Sequence, residues 1–305
     1  MPKPCVVLFG EVLVDMFPDR QVLGGAPFNV ARHLQAFGLH PVLISRLGDD
    51  ALRAQVLQAM SRYGMDASGM QTDPEHPTGR VQVHLKEGGG HNFEILPQQA
   101  YDFINADIAR QVMQSLQPDL VYFGTLAQRH GASRAALEAM LADCGALRLL
   151  DLNLRPPWYD LRILHDSLQR CDVVKMNEEE LDALAVLMEL QGNDMPARAA
   201  SLIDRFSLQQ VVVTCGGSGA WLFDTKAQSC HLQGDAVDAD GVVDTVGAGD
   251  GFSSVLILGT VRGWPLELSM ARANAFAAAV CGMRGAVPED EGFYTPFLRE
   301  WFQDE

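Results

Sequence analysis

The sequence predicts an α/β protein built on a mostly parallel, doubly wound sheet flanked by helices, and three observations carry that expectation. Short, nearly continuous apolar runs recur along the 305 residues: CVVLFG, PVLISRLG, DLVYFG, LRLLDLNL, DVVKMN and QVVVTCGG. Strands covered on both faces read this way. Between them, NVARHLQAFG, DALRAQVLQAMSRYG, ADIARQVMQSL and SRAALEAMLADCG place apolar residues at helical spacing, and several close with glycine. Strand and helix alternate without a repeat, linker or low-complexity stretch, so a single body over residues 1–305 is expected.

One region departs from the rhythm. Residues 79–96, GRVQVHLKEGGGHNFEIL, hold two alternating runs, Val81/Val83/Leu85 and Phe93/Ile95, around a glycine turn. That is the signature of a hairpin. EVLVDMF, from Glu11, alternates in the same way. Segments at about 11–23 and 78–97 are therefore expected to form a small β-sheet lid, inserted because the α/β rhythm resumes afterwards. In the last third, GAWLFD reads as a strand soon after another strand, followed by helices over Gly251–Arg262 and Leu266–Met283.

Composition narrows the function classes. With 39 acidic against 23 basic residues the formal charge is −16, and such a field repels nucleic acid and anionic membranes. Any phosphate must be held by a local device. The six cysteines (5, 144, 171, 215, 230, 281) form no CxxC pair and read as buried thiols of a reducing compartment. The eight histidines form no HExxH pattern, so a histidine zinc site is not expected. CVVLFG reaches Glu11 too soon for a signal peptide, and no stretch approaches the roughly 18 apolar residues of a membrane helix. A soluble cytoplasmic protein is the expectation.

The most informative stretch is DTVGAGDGF, residues 244–252. Gly247, Ala248 and Gly249 stand where a helix must begin, and unpaired N–H groups at the positive end of a helix dipole favour anions. Small residues there let a bulky anion approach the backbone. Asp250 follows at once. A carboxylate beside such a nest suits a hydroxyl acceptor attacking a phosphate, because phosphoryl transfer needs positioning, charge stabilisation and a base near the nucleophile. The alternative is that Asp250 only caps the helix.

Four other loops bear on that choice. GGAPFNVARHL (24–34) follows GEVLVD, so Asp15, Gly25 and Asn29 supply the carboxylate, backbone and amide groups that recognise polyol hydroxyls; the plainer reading is a helix-entry turn. DLNLRPPW (151–158) lies at a strand end, where open α/β sheets bind ligands, and Arg155 there can hold a phosphate or merely pair with a surface acid. In KMNEEEL (175–181), Asn177 and Glu180 share the first helical turn and can orient Mg²⁺, although acidic first turns also occur for dipole reasons alone. GGSGAW leads into a strand rather than a helix, which excludes a dinucleotide fingerprint, and no GxxxxGK[ST] is present.

Taken in order, GGAPFNVA, DLNLRPPW, KMNEEE, VVVTCGGSGAW and DTVGAGDGF resemble the motifs of the ribokinase and fructokinase (PfkB) family of carbohydrate kinases, from Gly10 to about Pro288. The resemblance implies a ribokinase-like α/β body with a β lid, ATP and Mg²⁺ as cosubstrate and metal, Asp250 as base, and Gly247, Ala248 and Gly249 as the anion hole. It implies Asp15, Gly25 and Asn29 on the sugar, Arg155 near the transferred phosphate, and Lys175, Asn177, Thr214, Gly216, Gly219 and Asn274 on the nucleotide side, with Asn177 and Glu180 supporting Mg²⁺. Asp244, Val246 and Gly285 match a K⁺ site, although Glu289 stands where some relatives carry serine. GEVLVDMF with GGAPFNVA looks most like bacterial fructokinases, which points to D-fructose phosphorylated at its 6-hydroxyl. Ribose, a ketohexose phosphate, 2-keto-3-deoxygluconate or a nucleoside are alternative acceptors, and a noncatalytic sugar or nucleotide sensor is an alternative of another class. Pairing of lid edges into a homodimer is also expected.

Overall fold

The structure is a computed structural model, and it describes residues 3–85, 91–142, 144–225, 229–234 and 242–302. The strands are β1 (Cys5–Phe9), β2 (Leu13–Met16), β3 (Gln21–Gly24), β4 (His40–Gly48), β5 (Met70–Asp73), β6 (Gly79–Leu85), β7 (His91–Ile95), β8 (Leu120–Gly124), β9 (Leu147–Asp151), β10 (Val173–Asn177), β11 (Gln210–Thr214), β12 (Ala220–Asp224) and β13 (Ser229–Leu232). The helices are α1 (Ala26–Ala36), α2 (Ala51–Arg62), α3 (Ala106–Ser115), α4 (Gly131–Leu141), α5 (Leu161–Gln169), α6 (Glu178–Leu187), α7 (Met195–Phe206), α8 (Ala248–Arg262), α9 (Leu266–Cys281) and α10 (Thr295–Trp301).

Nine strands make the main sheet in the order β13-β12-β11-β10-β9-β8-β1-β4-β5. From β5 to β11 every neighbouring pair is parallel, and β12 and β13 close one edge antiparallel. Alternation splits each central strand between two cores. In β1, Val7 and Phe9 face a core shared with α3 to α7, whereas Val6 and Leu8 face one shared with α1, α2, α8, α9 and α10. All four side chains are fully buried, which is why the strand reads as an unbroken apolar run.

The lid is a separate four-stranded sheet, β3-β2-β6-β7. Its β6–β7 pairing is antiparallel, with Val83 opposite Phe93, as the alternation predicts. The glycine turn at 86–90 lies outside the described residues. Two strands, and helices α5, α7 and α10, were not read from the sequence. Strand β5 carries MQTD, in which the buried residues are Gln71 and Asp73, and β13 is a half-exposed edge. The cysteine expectation is corrected: all six are free, but only Cys171 is buried and the other five are partly exposed. Short strands and helix ends leave one side of those five open to solvent.

Candidate active site

The candidate residues collect where β1, β9, β10 and β11 end and α1 and α8 begin. Gly10 and Gly25 permit this convergence. A β-carbon on Gly10 would lie 2.7 Å from Pro27 Cγ, and one on Gly25 would lie 2.6 Å from the Glu11 carbonyl oxygen, with φ of +104° besides. Gly25 therefore shapes the entry to α1 through its backbone, and α1 starts directly against the end of β1.

From the first turn of α1, Asn29 Nδ2 donates to Asp250 Oδ2 at 2.8 Å. This contact joins residues 221 positions apart, on α1 and α8. The cap of α8 is Gly247, with φ of +82° and no side-chain cap, and the Asp250 carboxylate bonds across to α1 instead. Burial, with a contribution from the Asp151 carboxylate, pushes Asp250 up to about 6 against the pull of Asn29, Lys175 and Arg155. An acid in this range is ionised near neutrality and still basic enough to accept a proton. Among the described residues Asn29 Oδ1 is buried without a protein partner, and so is free to accept from a ligand hydroxyl.

Asp250 lies in the first turn of α8. Among the described residues the N–H groups of Gly247, Gly249 and Asp250 find no backbone acceptor, and that of Ala248 reaches the Thr245 carbonyl only at 3.3 Å. Free donors at a helix N-terminus are the chemistry that can receive an anion. The predicted glycine at 247 has a steric basis as well: a β-carbon there would lie 2.3 Å from Ala286 Cα.

Asp15 sits on the lid strand β2, beside Gly24 at the end of β3, with burial pushing its carboxyl up to about 6. Arg155 is exposed, makes no ion pair among the described residues, and its charge acts on both Asp250 and Glu11. Its guanidinium donates to the neighbouring Leu154 carbonyl at 3.1 Å and is not spent on a surface acid among the described residues.

On the nucleotide side, Asn177 and Glu180 form a reciprocal capping box on α6. Glu180 Oε2 accepts from Asn177 N at 2.9 Å and Oε1 from Leu154 N at 2.7 Å. Both carboxylate oxygens are thus committed to backbone, so the pair fits a metal held through water rather than directly. Lys175 does not stand free for a nucleotide: its ammonium is paired with Asp151 at 3.1 Å and lies 3.4 Å from the Gly249 carbonyl. Thr214 ends β11, and Gly216 and Gly219 follow with positive φ. A β-carbon on Gly219 would sit 2.0 Å from the Leu232 carbonyl oxygen. Asn274, on α9, donates to that same carbonyl at 3.3 Å, fastening the helix to the edge of this loop.

Asp244, Val246 and Gly285, the K⁺ candidates, lie together. Asp244 Oδ1 accepts from Val246 N at 3.0 Å and Oδ2 from Gly285 N at 3.1 Å, while Glu289 is exposed. The contacts from Val246 and Gly285 are N–H groups, so the carboxylate is the anionic donor of the set.

Two residues of the site escaped the sequence reading. Glu11 is 5% exposed and burial lifts its carboxyl to about 7, with Asp250 and Arg155 in electrostatic reach. Asp151 ends β9 within a fully enclosed cluster of Tyr122, Lys175 and Ser253. The signal each offered is an acid at or just beyond the end of a mostly apolar strand, Asp151 as the last residue of β9 and Glu11 two residues after β1.

A cleft at strand carboxyl ends, overhung by a small sheet and holding an acid beneath a helix-terminal nest, defines a ribokinase-like protein. Residues 8–291 match the pfkB family of carbohydrate kinases, and the chain belongs to that family. It is 26% identical to a fructokinase of Salmonella typhimurium over 97% of both chains, and 29% identical to a fructokinase of Klebsiella pneumoniae over 90% of this chain and 91% of that one. Among solved structures it resembles the fructokinase of Vibrio cholerae O395 in its fructose-, ADP- and calcium-bound form, with a TM-score of 0.79, 25% identity, and coverage of 96% and 98%.

Proposed function

We propose that this carbohydrate kinase transfers the γ-phosphoryl group of ATP to the 6-hydroxyl of D-fructose. The observation that carries the reading is the 2.8 Å contact from Asn29 to Asp250, which ties the sugar-side helix to an acid lying directly under the α8 nest. Asp250 takes the hydroxyl proton, the freed oxygen attacks the γ-phosphorus, and the bond to the ADP oxygen breaks. Gly247, Ala248 and Gly249 N–H groups receive the charge that develops on the migrating phosphoryl. Asp15, Asn29 Oδ1 and the backbone at Gly25 hold the sugar hydroxyls, and Arg155 steadies the phosphate from the open side. Mg²⁺, supported through water by Asn177 and Glu180, neutralises charge on the β- and γ-phosphates when bound, and Asp244 with Val246 and Gly285 is the place for K⁺. Thr214, Gly216 and Gly219 line the nucleotide, with Asn274 behind them.

The fructose acceptor is supported by the fructokinases among the relatives and by the fructose held in the Vibrio cholerae structure. ADP release measured across fructose, ribose, a ketohexose phosphate, 2-keto-3-deoxygluconate and a nucleoside tests it. The expected result is the highest kcat/KM for fructose, and equal or better turnover of another acceptor overturns the assignment. The lid strands β3 and β7 each leave one edge open, which supports lid-to-lid pairing of two copies; light scattering at working concentration tests that.

A further inference from the structure

Beneath the nest lies a closed polar cluster that the reaction as described leaves without a task. Asp151 is 1% exposed, and each of its oxygens is occupied. Lys175 Nζ lies 3.1 and 3.2 Å from its two carboxylate oxygens, Tyr122 donates its hydroxyl at 3.1 Å, and Ser253 donates its own at 2.7 Å. The four groups come from β8, β9, β10 and α8, so the cluster joins three adjacent strands to the helix whose N-terminus is the nest. Strand register places Lys175 directly beside Asp151. On its other side the ammonium reaches the Gly249 carbonyl at 3.4 Å, and a β-carbon at Gly249 would stand 3.2 Å from it. Glycine at 249 thus serves the ammonium below the nest as well as the anion above it.

A buried charge pair is a costly way to hold a fold together, since apolar side chains of similar volume stabilise as well or better. Its position suggests what it does instead. We infer that Asp151 and Lys175 are positioning residues of the phosphoryl site: the ammonium pegs the first turn of α8 at Gly249, and the two opposite charges hold Asp250 balanced as a base. This rests on the reading of Asp250 as the base. Other charged or titratable groups facing Asp250 are Glu11 beyond β1, Arg155 beyond β9 and Tyr122 on β8, with neutral Asn29 on α1. Arg155 is exposed and screened by water, whereas the Asp151–Lys175 pair lies in the protein interior, where a charge acts more strongly.

The two charges push in opposite senses. The Asp151 carboxylate favours protonated Asp250 and the Lys175 ammonium favours its ionised form. The acid limb of kcat/KM against pH reads the free enzyme's base. Asp151→Asn should move that limb to lower pH and Lys175→Met to higher pH, each by about one pH unit, the lower end of what a nearby charge produces. The double variant, which removes both charges, should return the limb to its wild-type position although the peg is gone and kcat is reduced. Damage to the fold alone does not move a limb in opposite directions and then restore it.

Tyr122→Phe and Ser253→Ala provide gentler variants should a single charge variant fail to fold. Each removes a hydroxyl that offsets the Asp151 charge, so each should shift the limb slightly upward. Singles that shift together, a double that stays displaced, or hydroxyl variants that leave the limb still or lower it overturn the inference. Asp250→Asn separates the two levels. If it retains turnover with its acid limb, the base assignment falls and the inference with it; if it abolishes turnover while the pair variants do not shift as stated, only the inference falls.

Discussion

Replacing Asp250 by asparagine should cost activity and gain stability, and the two effects have one cause. The amide keeps an oxygen to accept from Asn29 Nδ2 and nearly the same volume, so packing is conserved while the charge disappears. Burial raises the Asp250 carboxyl from 3.8 to about 6. At about 1.4 kcal/mol per pH unit, that shift corresponds to roughly 3 kcal/mol against the ionised form in the folded state. The carboxylate is only half-buried, and solvent screening reduces the figure to about 2 kcal/mol. With an unfolding entropy near 2.1 cal/mol/K per residue, a chain of this length gains about 1.5 °C in Tm per kcal/mol, so the variant should melt about 3 °C higher at pH 7.5. The direction with pH is fixed by linkage. A raised folded-state value means that folded wild-type protein takes up a proton before the unfolded chain does. The penalty is therefore full above about pH 6, fades between 6 and 4, and is absent below the unfolded value. Differential scanning fluorimetry of both proteins without ligands at pH 7.5, 6 and 4.5 measures the gap. A variant less stable at pH 7.5, or a gap that does not shrink on acidification, refutes the burial argument.

Further outcomes follow from individual contacts. His33, buried and pushed down to about 3 by desolvation, stays neutral in the fold while the unfolded chain protonates near 6.5; its contribution is intact above pH 6.5 and lost below at about 1.4 kcal/mol per pH unit, so urea midpoints of wild type and His33→Gln should converge between pH 7 and 5.5. Gly247→Ala forces a backbone shift against Ala286 at a positive φ, and kcat should fall by about 10²-fold or more, as on losing an oxyanion donor, while fructose affinity by calorimetry is kept. Glu180→Gln can accept from only one of the Leu154 and Asn177 N–H groups on the same two oxygens, and an unpaired buried donor costs about 1–3 kcal/mol, to be read as a lower urea midpoint. If the four-stranded sheet closes over bound sugar, amide hydrogen exchange in β6 and β7 should slow when sugar is added; unchanged exchange at saturation refutes closure.

The fold was legible where burial made the pattern one-dimensional. Strands such as β1 and β11 are covered on both faces and appear as runs of valine and leucine, and the lid hairpin appears as alternation. β5 was not legible because its buried residues are Gln71 and Asp73, whose side chains are satisfied by hydrogen bonds to Asn105 and by Arg46 and the turn at 75–76. Burial there follows from partners distant in sequence, which periodicity does not register. In the site, glycine turns announce themselves because close approach and positive φ restrict what can occupy them, as at Gly25 and Gly247. Asp151 and Lys175 are a different case. Asp151 ends β9 and Lys175 stands in the middle of β10, and their pairing becomes visible only when the two strands are known to be neighbours in register.

Helix α1 connects the two halves of the cleft. Asn29, one turn into the helix, holds Asp250, and His33, one turn further on, reaches Ala286 with Nε2 at 3.1 Å. A carbonyl can only accept, so Nε2 carries the proton and Nδ1 accepts from the Tyr294 hydroxyl at 2.9 Å, which fixes the tautomer. Ala286 in turn packs against Gly247, with no room between them for a single methyl group. Helix α1 is therefore bonded both to Asp250 and to the segment that packs against Gly247. Any displacement of α1 acts on both at once, through Asn29 and through His33.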